Sequence, residues 1–215
     1  RLSYAMAMGL GDASVYETSW TLHHTYGVPV IRASAIKGLV RSYVIQSFFM
    51  KEEFNGNPND EDRAEKEALQ DEGFCELFGS PKESKKGEYQ GELVFFDALP
   101  HSGTKVGLDI MTPHYSPYYQ KEKTKKDTLK PAGDYYDPVP VTFPVVTQGS
   151  FTFVIGVKKT RPAYQDMIAA GALSQGHYSG KSKLEIGHML LEAALKEFGL
   201  GAKTALGYGV FQAHA

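Results

Sequence analysis

Two long helical repeats, one alternating strand and one nearly continuous apolar strand predict an α+β fold, ordered β-α-β-β-α-β with large insertions. Ile36, Leu39, Val40, Tyr43, Val44, Ser47 and Phe48 recur along one helical face, and Leu184, Leu191, Ala194, Leu195 and Phe198 along another. Phe151, Phe153, Ile155 and Val157 alternate with other residues, so one strand face is buried there. Gly91–Leu99 (GELVFFDAL) is apolar almost throughout, the pattern of a central strand. At 215 residues, the chain suits one domain, 1–215, with a sizeable core.

In chain order, residues 1–8 (RLSYAMAM) suit a first strand, and Gly9-Leu10-Gly11-Asp12 a turn. The β-branched and aromatic residues of Val15–His23 suit a second extended segment. Ser34 stands as N-cap before the first helix, with Lys37 in the first turn and Arg41 four residues on. Residues 52–72 are charged and poor in aromatics, hence a surface insertion with a solvated helix from Asp60. Phe74, Leu77 and Phe78 then give a short apolar helical face, closed by Gly79-Ser80-Pro81, with Cys75 packed inside it. The stretch 100–136, rich in Pro, Tyr and Lys, reads as an irregular connection. Residues 139–146 and 150–158 read as neighbouring strands joined at Thr147-Gln148-Gly149. After a mixed loop over 160–182, Ser182 and Glu185 form a capping box for the helix to Phe198, and Gly199 stands as its C′ residue.

Composition narrows the function classes. A hydrophobic content of 42% is that of a globular chain, and no apolar run approaches the ~20 residues of a membrane span. The single cysteine, Cys75, excludes an internal disulfide, fits a reducing cytoplasm and cannot build a zinc site alone. Because the chain starts at Arg1, a removed signal segment stays open. A net charge of −2 argues against indiscriminate nucleic-acid binding, so charge distribution carries more than the sum. From Lys51 to Glu76 acids outnumber bases roughly three to one, whereas bases dominate Lys121–Lys130, Lys158, Lys159, Arg161, Lys181 and Lys183. This suits a subunit with one RNA face and several protein faces, and equally an ordinary enzyme.

The segment GLGAKTALGYG, residues 199–209, offers backbone amides able to cradle an anion, with Lys203 as a point charge and Thr204 as a hydroxyl. It lacks the spacing of a Walker loop and the third glycine of a dinucleotide fingerprint. A plain glycine-rich hairpin entering a last strand is the competing reading. In 100–136, His114, Tyr115, Tyr118 and Tyr119 beside lysines are the mixture that stacks bases and meets phosphates, or a surface loop packing its own tyrosines.

G-x-G-A-K-T-x-x-G-Y-G-x-F over 199–211 resembles the carboxy-terminal glycine-rich signature of the RAMP superfamily, CRISPR-associated RNA-binding proteins of ferredoxin-like (RRM-like) fold. Residues 9–43, LDIMTPHYSPYY (108–119) and DPVPVTF (137–143) extend the resemblance, in order, to the Cmr module of type III-B CRISPR effectors. In the family pattern I-P-[GA]-S-[SA]-[IL]-K-G, this chain has Arg32 in place of proline. The resemblance implies a noncatalytic subunit of an antiviral ribonucleoprotein, at the filament end near the guide 3′ portion. It implies contacts to guide RNA, to single-stranded target RNA through the guide duplex, and to the backbone, small helical and capping subunits. The RNA-binding residues it implies are Ser34, Lys37, Gly38, Arg41, Gly199, Gly201, Lys203 and Thr204, joined by His114 and Tyr115. Residues 112–136, within the 100–136 stretch, are the implied thumb, a projection that interrupts the duplex. It implies no cofactor and no metal.

Some relatives cut RNA without metal, and His23 and His24 with Tyr26 nearby are the candidate residues for a guide-processing endoribonuclease. On a regular strand, adjacent histidines would face opposite sides and could not share one phosphate. Asp12, Asp109 and Asp134 sit in expected loops without a carboxylate or histidine cluster. A pure protein scaffold, its glycine turn merely packed, is the remaining alternative.

Overall fold

The computed structural model describes residues 1–13, 15, 18–50, 58–113, 135–158, 166–168 and 170–212. Among these residues, three antiparallel two-stranded ladders and two principal helices make an α+β architecture.

The first helix, α1 (Ala33–Val44), buries Ile36, Val40, Tyr43 and Val44 of the predicted face and continues into a π-helical turn, Ile45–Phe49, while Leu39 and Phe48 are half-buried and Ser47 is exposed. Next come α2 (Pro58–Ala68) and α3 (Glu72–Phe78). The charged insertion is more than a solvated helix: Ala64 and Ala68 of α2 are buried, and its Glu65 meets Arg41 of α1 at 2.7 Å. Asp71 caps α3 by accepting from the Phe74 amide, and Cys75 lies in the core.

Strands β1 (Leu93–Phe95) and β2 (Leu99–Pro100) run antiparallel to β6 (Ile155–Val157) and β5 (Phe151–Thr152), respectively. The expected continuous strand over 91–99 is therefore broken at Phe96–Ala98, where Ala98 turns to bond with Ile31. Strand β3 (Lys105–Met111), inside the stretch expected to be irregular, pairs along its length with β4 (Val141–Gln148). Consequently β4 is not the neighbour of the strands that follow it. The alternation Val106, Leu108, Ile110 was a strand signal, obscured because all three side chains are exposed instead of buried.

The first residues do not form an independent strand. Met6 exchanges hydrogen bonds with Val146 of β4, while Ala7 bridges Ala202 and Leu2 bridges Phe211. The first residues thus run between β4 and the segment 202–211. The extended segment expected over 15–23 reduces, among the described residues, to a bridge between Leu22 and Pro29 around a tight turn.

The last helix, α4 (Lys183–Glu197), carries the predicted capping box of Ser182 and Glu185. Its core face is Ile186, Leu190, Leu191, Ala194 and Leu195, whereas the expected Leu184 is 43% exposed. Helices α1 and α4 pack on each other and on β1, with α4 also against β6. Gly199 takes φ +73°, the left-handed C′ position. None of the described helices is long and apolar enough to cross a membrane.

Candidate nucleic-acid interface

A groove of about 560 Å³ lies where α1 meets the end of α4. Ala35, Gly38 and Ser42 of α1 form one wall; Gly199, Gly201 and Thr204 of the glycine-rich turn form the other. Gly38 and Ser42 share a helical stripe because they are four residues apart. The volume lies within the range of ligand pockets, roughly 300–1,000 Å³. Residues separated by some 160 positions in the chain are therefore neighbours.

The turn's backbone explains its glycines. Gly209, at φ +71°, approaches so closely that a Cβ would sit 1.8 Å from the Leu200 carbonyl oxygen, and one on Gly201 would sit 2.3 Å from that of Ala7. The Leu200 amide donates to Gly209 O and the Ala202 amide to Ala7 O. Part of the turn's donor capacity is thus spent on the protein itself. Thr204–Leu206 form a short 3-10 turn entered through Lys203, which adopts φ +61° despite its side chain.

The cations predicted for the site sit beside the groove and do not line it. Lys203 places its ammonium 5.2 Å from the centre of the Phe143 ring, toward β4. Lys37 is half-buried on the neighbouring flank of α1, and its pKa is held down by burial, then by Arg41 and by Lys158. Arg41 bonds Glu65 at 2.7 Å and stacks over Phe74 at 5.4 Å. Lys158, in the sequence one member of a basic run, comes near Lys37 through tertiary packing, which no local pattern announces.

Ser34 is not the N-cap. It is the second residue of α1 and exposed, and Arg32 holds the N-cap position with φ −67°, a value a proline would also adopt. The capping role passes to Asp97, which accepts from the Ala33 amide at 2.7 Å, with the Arg32 guanidinium 3.9 Å from its other oxygen. A carboxylate from the β1–β2 connection therefore takes up part of the anion-attracting helix end. The opposite charge appears inside the groove: Glu197, at the end of α4, lines it and accepts from the Tyr43 hydroxyl at 3.5 Å. Burial, followed by the Glu197 carboxylate, raises the Tyr43 pKa. Sequence reasoning missed Glu197 as well as Ser42 and Gln46 on the groove wall; the stripe Gly38, Ser42, Gln46, at four-residue intervals opposite the apolar face, was the available signal.

His23 and His24 lie in a turn, not a strand, so the expectation of opposite faces does not hold: their rings stack at 5.4 Å with an interplanar angle of 13°. His23 Nδ1 accepts from the Thr25 and Tyr26 amides at 3.3 and 3.4 Å. Among the described residues no group of three His, Cys, Asp or Glu side chains is placed to hold a metal. Asp109 lies in β3, where Tyr208 and the Ile110 amide donate to its carboxylate. His114, Tyr115 and Asp134 lie outside the described residues, as does most of the thumb candidate.

Comparison with known proteins adds four findings. The RAMP superfamily profile matches residues 5–212. The CRISPR system Cmr subunit Cmr6 of Pyrococcus furiosus is 33% identical over 242 residues, covering 95% of this chain and 64% of that protein, so the chain spans less than two thirds of its relative's length. The crystal structure of Cmr6 from Pyrococcus furiosus aligns over 100% of this chain and 94% of its own at 30% identity and a TM-score of 0.49. A chain in the cryo-EM structure of the type III-B Cmr-beta complex bound to cognate target RNA shares the fold at a TM-score of 0.58 and 20% identity, over 99% of this chain and 55% of that one.

Proposed function

Because the chain belongs to the RAMP superfamily, we propose that it is a noncatalytic RNA-binding and assembly subunit of a type III-B CRISPR effector. In this reading its domain is the ferredoxin-like form of the superfamily, with the first residues bridging β4 and the segment 202–211. The subunit holds the guide RNA near its 3′ portion, at the end of the effector filament. It contacts the backbone, small helical and capping subunits of the Cmr module, and base pairing within the guide duplex selects the target.

The observation that carries this reading is the convergence of α1 and the glycine-rich turn on one groove, beside a surplus of positive charge on α1. Beyond the effect of burial, Arg41 and Lys158 lie close enough to lower the Lys37 pKa further, and Arg41 is also paired with Glu65. Like charges gathered this way repel, and a polynucleotide phosphate relieves the repulsion. The groove itself, lined by glycine backbone, Ser42, Thr204 and the Glu197 acceptor, suits sugar and base-edge contacts more than phosphate. The phosphate track accordingly runs along the Lys37 flank, with ribose and base turned toward the groove. Strands β3 and β4 are the two legs leading to residues 112–136, the arrangement a projecting thumb requires.

Guide RNA binding by the full chain, alone and in the reconstituted effector, tests this. Weak, salt-sensitive binding alone and retention in the complex are expected, with crosslinks mapping to α1 and 199–204. Metal-free cleavage abolished by His23→Ala would overturn the noncatalytic assignment. No crosslink within the assembled complex would leave a scaffold role instead.

A further inference from the structure

We propose that the ring stack His24–His23–Tyr26 is a platform for one unpaired nucleobase of the bound RNA, an inference that rests on the RNA-binding reading above. His23 is the central ring: His24 lies 5.4 Å away at 13°, and Tyr26 lies 4.7 Å away at 29°. His24 and Tyr26 thus both stack on His23 within one turn, and Tyr26 is 70% exposed, so its ring is open to solvent. A base has the same flat π surface and can extend such a stack whatever its identity.

The platform is held in place before any ligand arrives. His23 N donates to Val28 O and Gly27 N to His23 O, both at 2.8 Å, while Leu22 pairs with Pro29. His23 Nδ1 is fixed by two backbone amides, and His24 Nε2 lies 3.0 Å from the Thr25 hydroxyl. Rings already immobilised lose little entropy on stacking. The turn also leads directly into α1: Pro29, Val30 and Ile31 connect it to Arg32, whose guanidinium side chain is 57% exposed, and then to Ser34 and Lys37. The rings therefore precede the α1 cations in the chain by one short segment.

A nucleobase fits this surface better than a protein partner. A protein contact needs a broad apolar patch, whereas within the turn the exposed large apolar side chains are Tyr26 and, at 36%, Leu22. The rest of the turn presents imidazole, hydroxyl and glycine backbone.

The test uses the full chain and two single-stranded RNAs of about 12 nucleotides, a length within the usual site sizes, identical except for a run of abasic sites in one. Charge is equal, so phosphate contacts bind both alike. The wild-type chain should prefer the base-bearing strand by about tenfold, the size of one aromatic stack. Tyr26→Ala should lose most of that preference and Tyr26→Phe should keep it, with the abasic strand bound equally by all three. Equal binding of both RNAs by the wild type overturns the platform while leaving the phosphate clamp standing. Binding of neither RNA, alone or in the reconstituted effector, overturns the RNA-binding reading itself and the platform with it. A preference undiminished in Tyr26→Ala places the stacking elsewhere and refutes this assignment. If Tyr26→Ala instead weakens association with partner subunits and leaves both RNAs bound as before, the surface is a protein contact and the proposal fails.

Discussion

The Lys183 ammonium donates to the Glu92 carboxylate at 2.7 Å in the interior, with 1% of its surface exposed. Glu76 lies 3.3 Å from the same ammonium, and Lys86 and Tyr89 satisfy the outer carboxylate oxygens. Three segments are tied by one buried network: the start of α4, helix α3 and the residue before β1. Removing the central cation leaves two carboxylates buried together. Lys183→Met should therefore cost about 3–5 kcal/mol, the range for breaking a buried ion pair. Adding Glu92→Gln should recover part of the loss, because one stranded charge is removed. Urea unfolding of both variants and of Glu92→Gln alone checks these statements; an additive double mutant would show that the pair is not coupled.

Tyr208 links the glycine-rich turn to β3 by donating to Asp109. That bond, followed by the one from the Ile110 amide, holds the Asp109 pKa below its ordinary value, and the same bond raises that of Tyr208. For the depressed carboxyl, the contribution to stability is present above the ordinary carboxylate range and is lost as pH falls through the folded-state value. For the raised phenol, the contribution is complete below about pH 10 and disappears as pH rises beyond it. Melting midpoints should accordingly fall below about pH 4, and less steeply in Asp109→Asn. Tyr208→Phe should cost about 1 kcal/mol near neutrality, one hydrogen bond.

Two glycines of the turn should separate steric from conformational demand. Gly207 and Gly209 both have positive φ, yet a Cβ on Gly207 meets nothing within 4 Å, while one on Gly209 meets Leu200 O at 1.8 Å. Gly207→Ala should cost about 1 kcal/mol, the left-handed penalty alone. Gly209→Ala should cost about 3 kcal/mol, because the overpacking adds to that penalty. Equal losses in thermal unfolding would mean that the backbone approach is not what requires glycine there.

These contrasts mark how far the sequence could be read. Helix α4 was legible from cap to C′ glycine because Ser182, Glu185 and Gly199 act within a few residues of the helix. Ser34 was misread as a cap since its competitor, Asp97, arrives from another strand. Strand β3 was concealed by an exposed apolar alternation, and the partner of β4 by a long excursion before it. The candidate site was half-visible: the two backbone walls have family-like motifs, but Lys158 and Glu197 join only through tertiary packing. The histidine stack was hidden because a turn replaced the expected strand, reversing the argument from alternation.

Cation substitutions should dissect RNA binding through its salt dependence. Each lost phosphate contact lowers the slope of log K against log salt by about 0.7 for single strands. Lys37→Ala and Lys158→Ala should each reduce the slope by about that amount, and the pair should reduce it by about twice as much. Lys203 needs a different replacement. Its φ of +61° is strained for any side chain, so Lys203→Gly removes the charge while relieving the backbone. That variant should weaken RNA binding at unchanged or slightly raised thermal stability, the relief of strain offsetting the loss of the Phe143 contact. Lys203→Ala keeps the strain and should melt earlier than Lys203→Gly. If Lys203→Gly binds guide RNA with the wild-type slope, the ammonium serves the Phe143 ring alone, and the phosphate track is confined to the α1 flank.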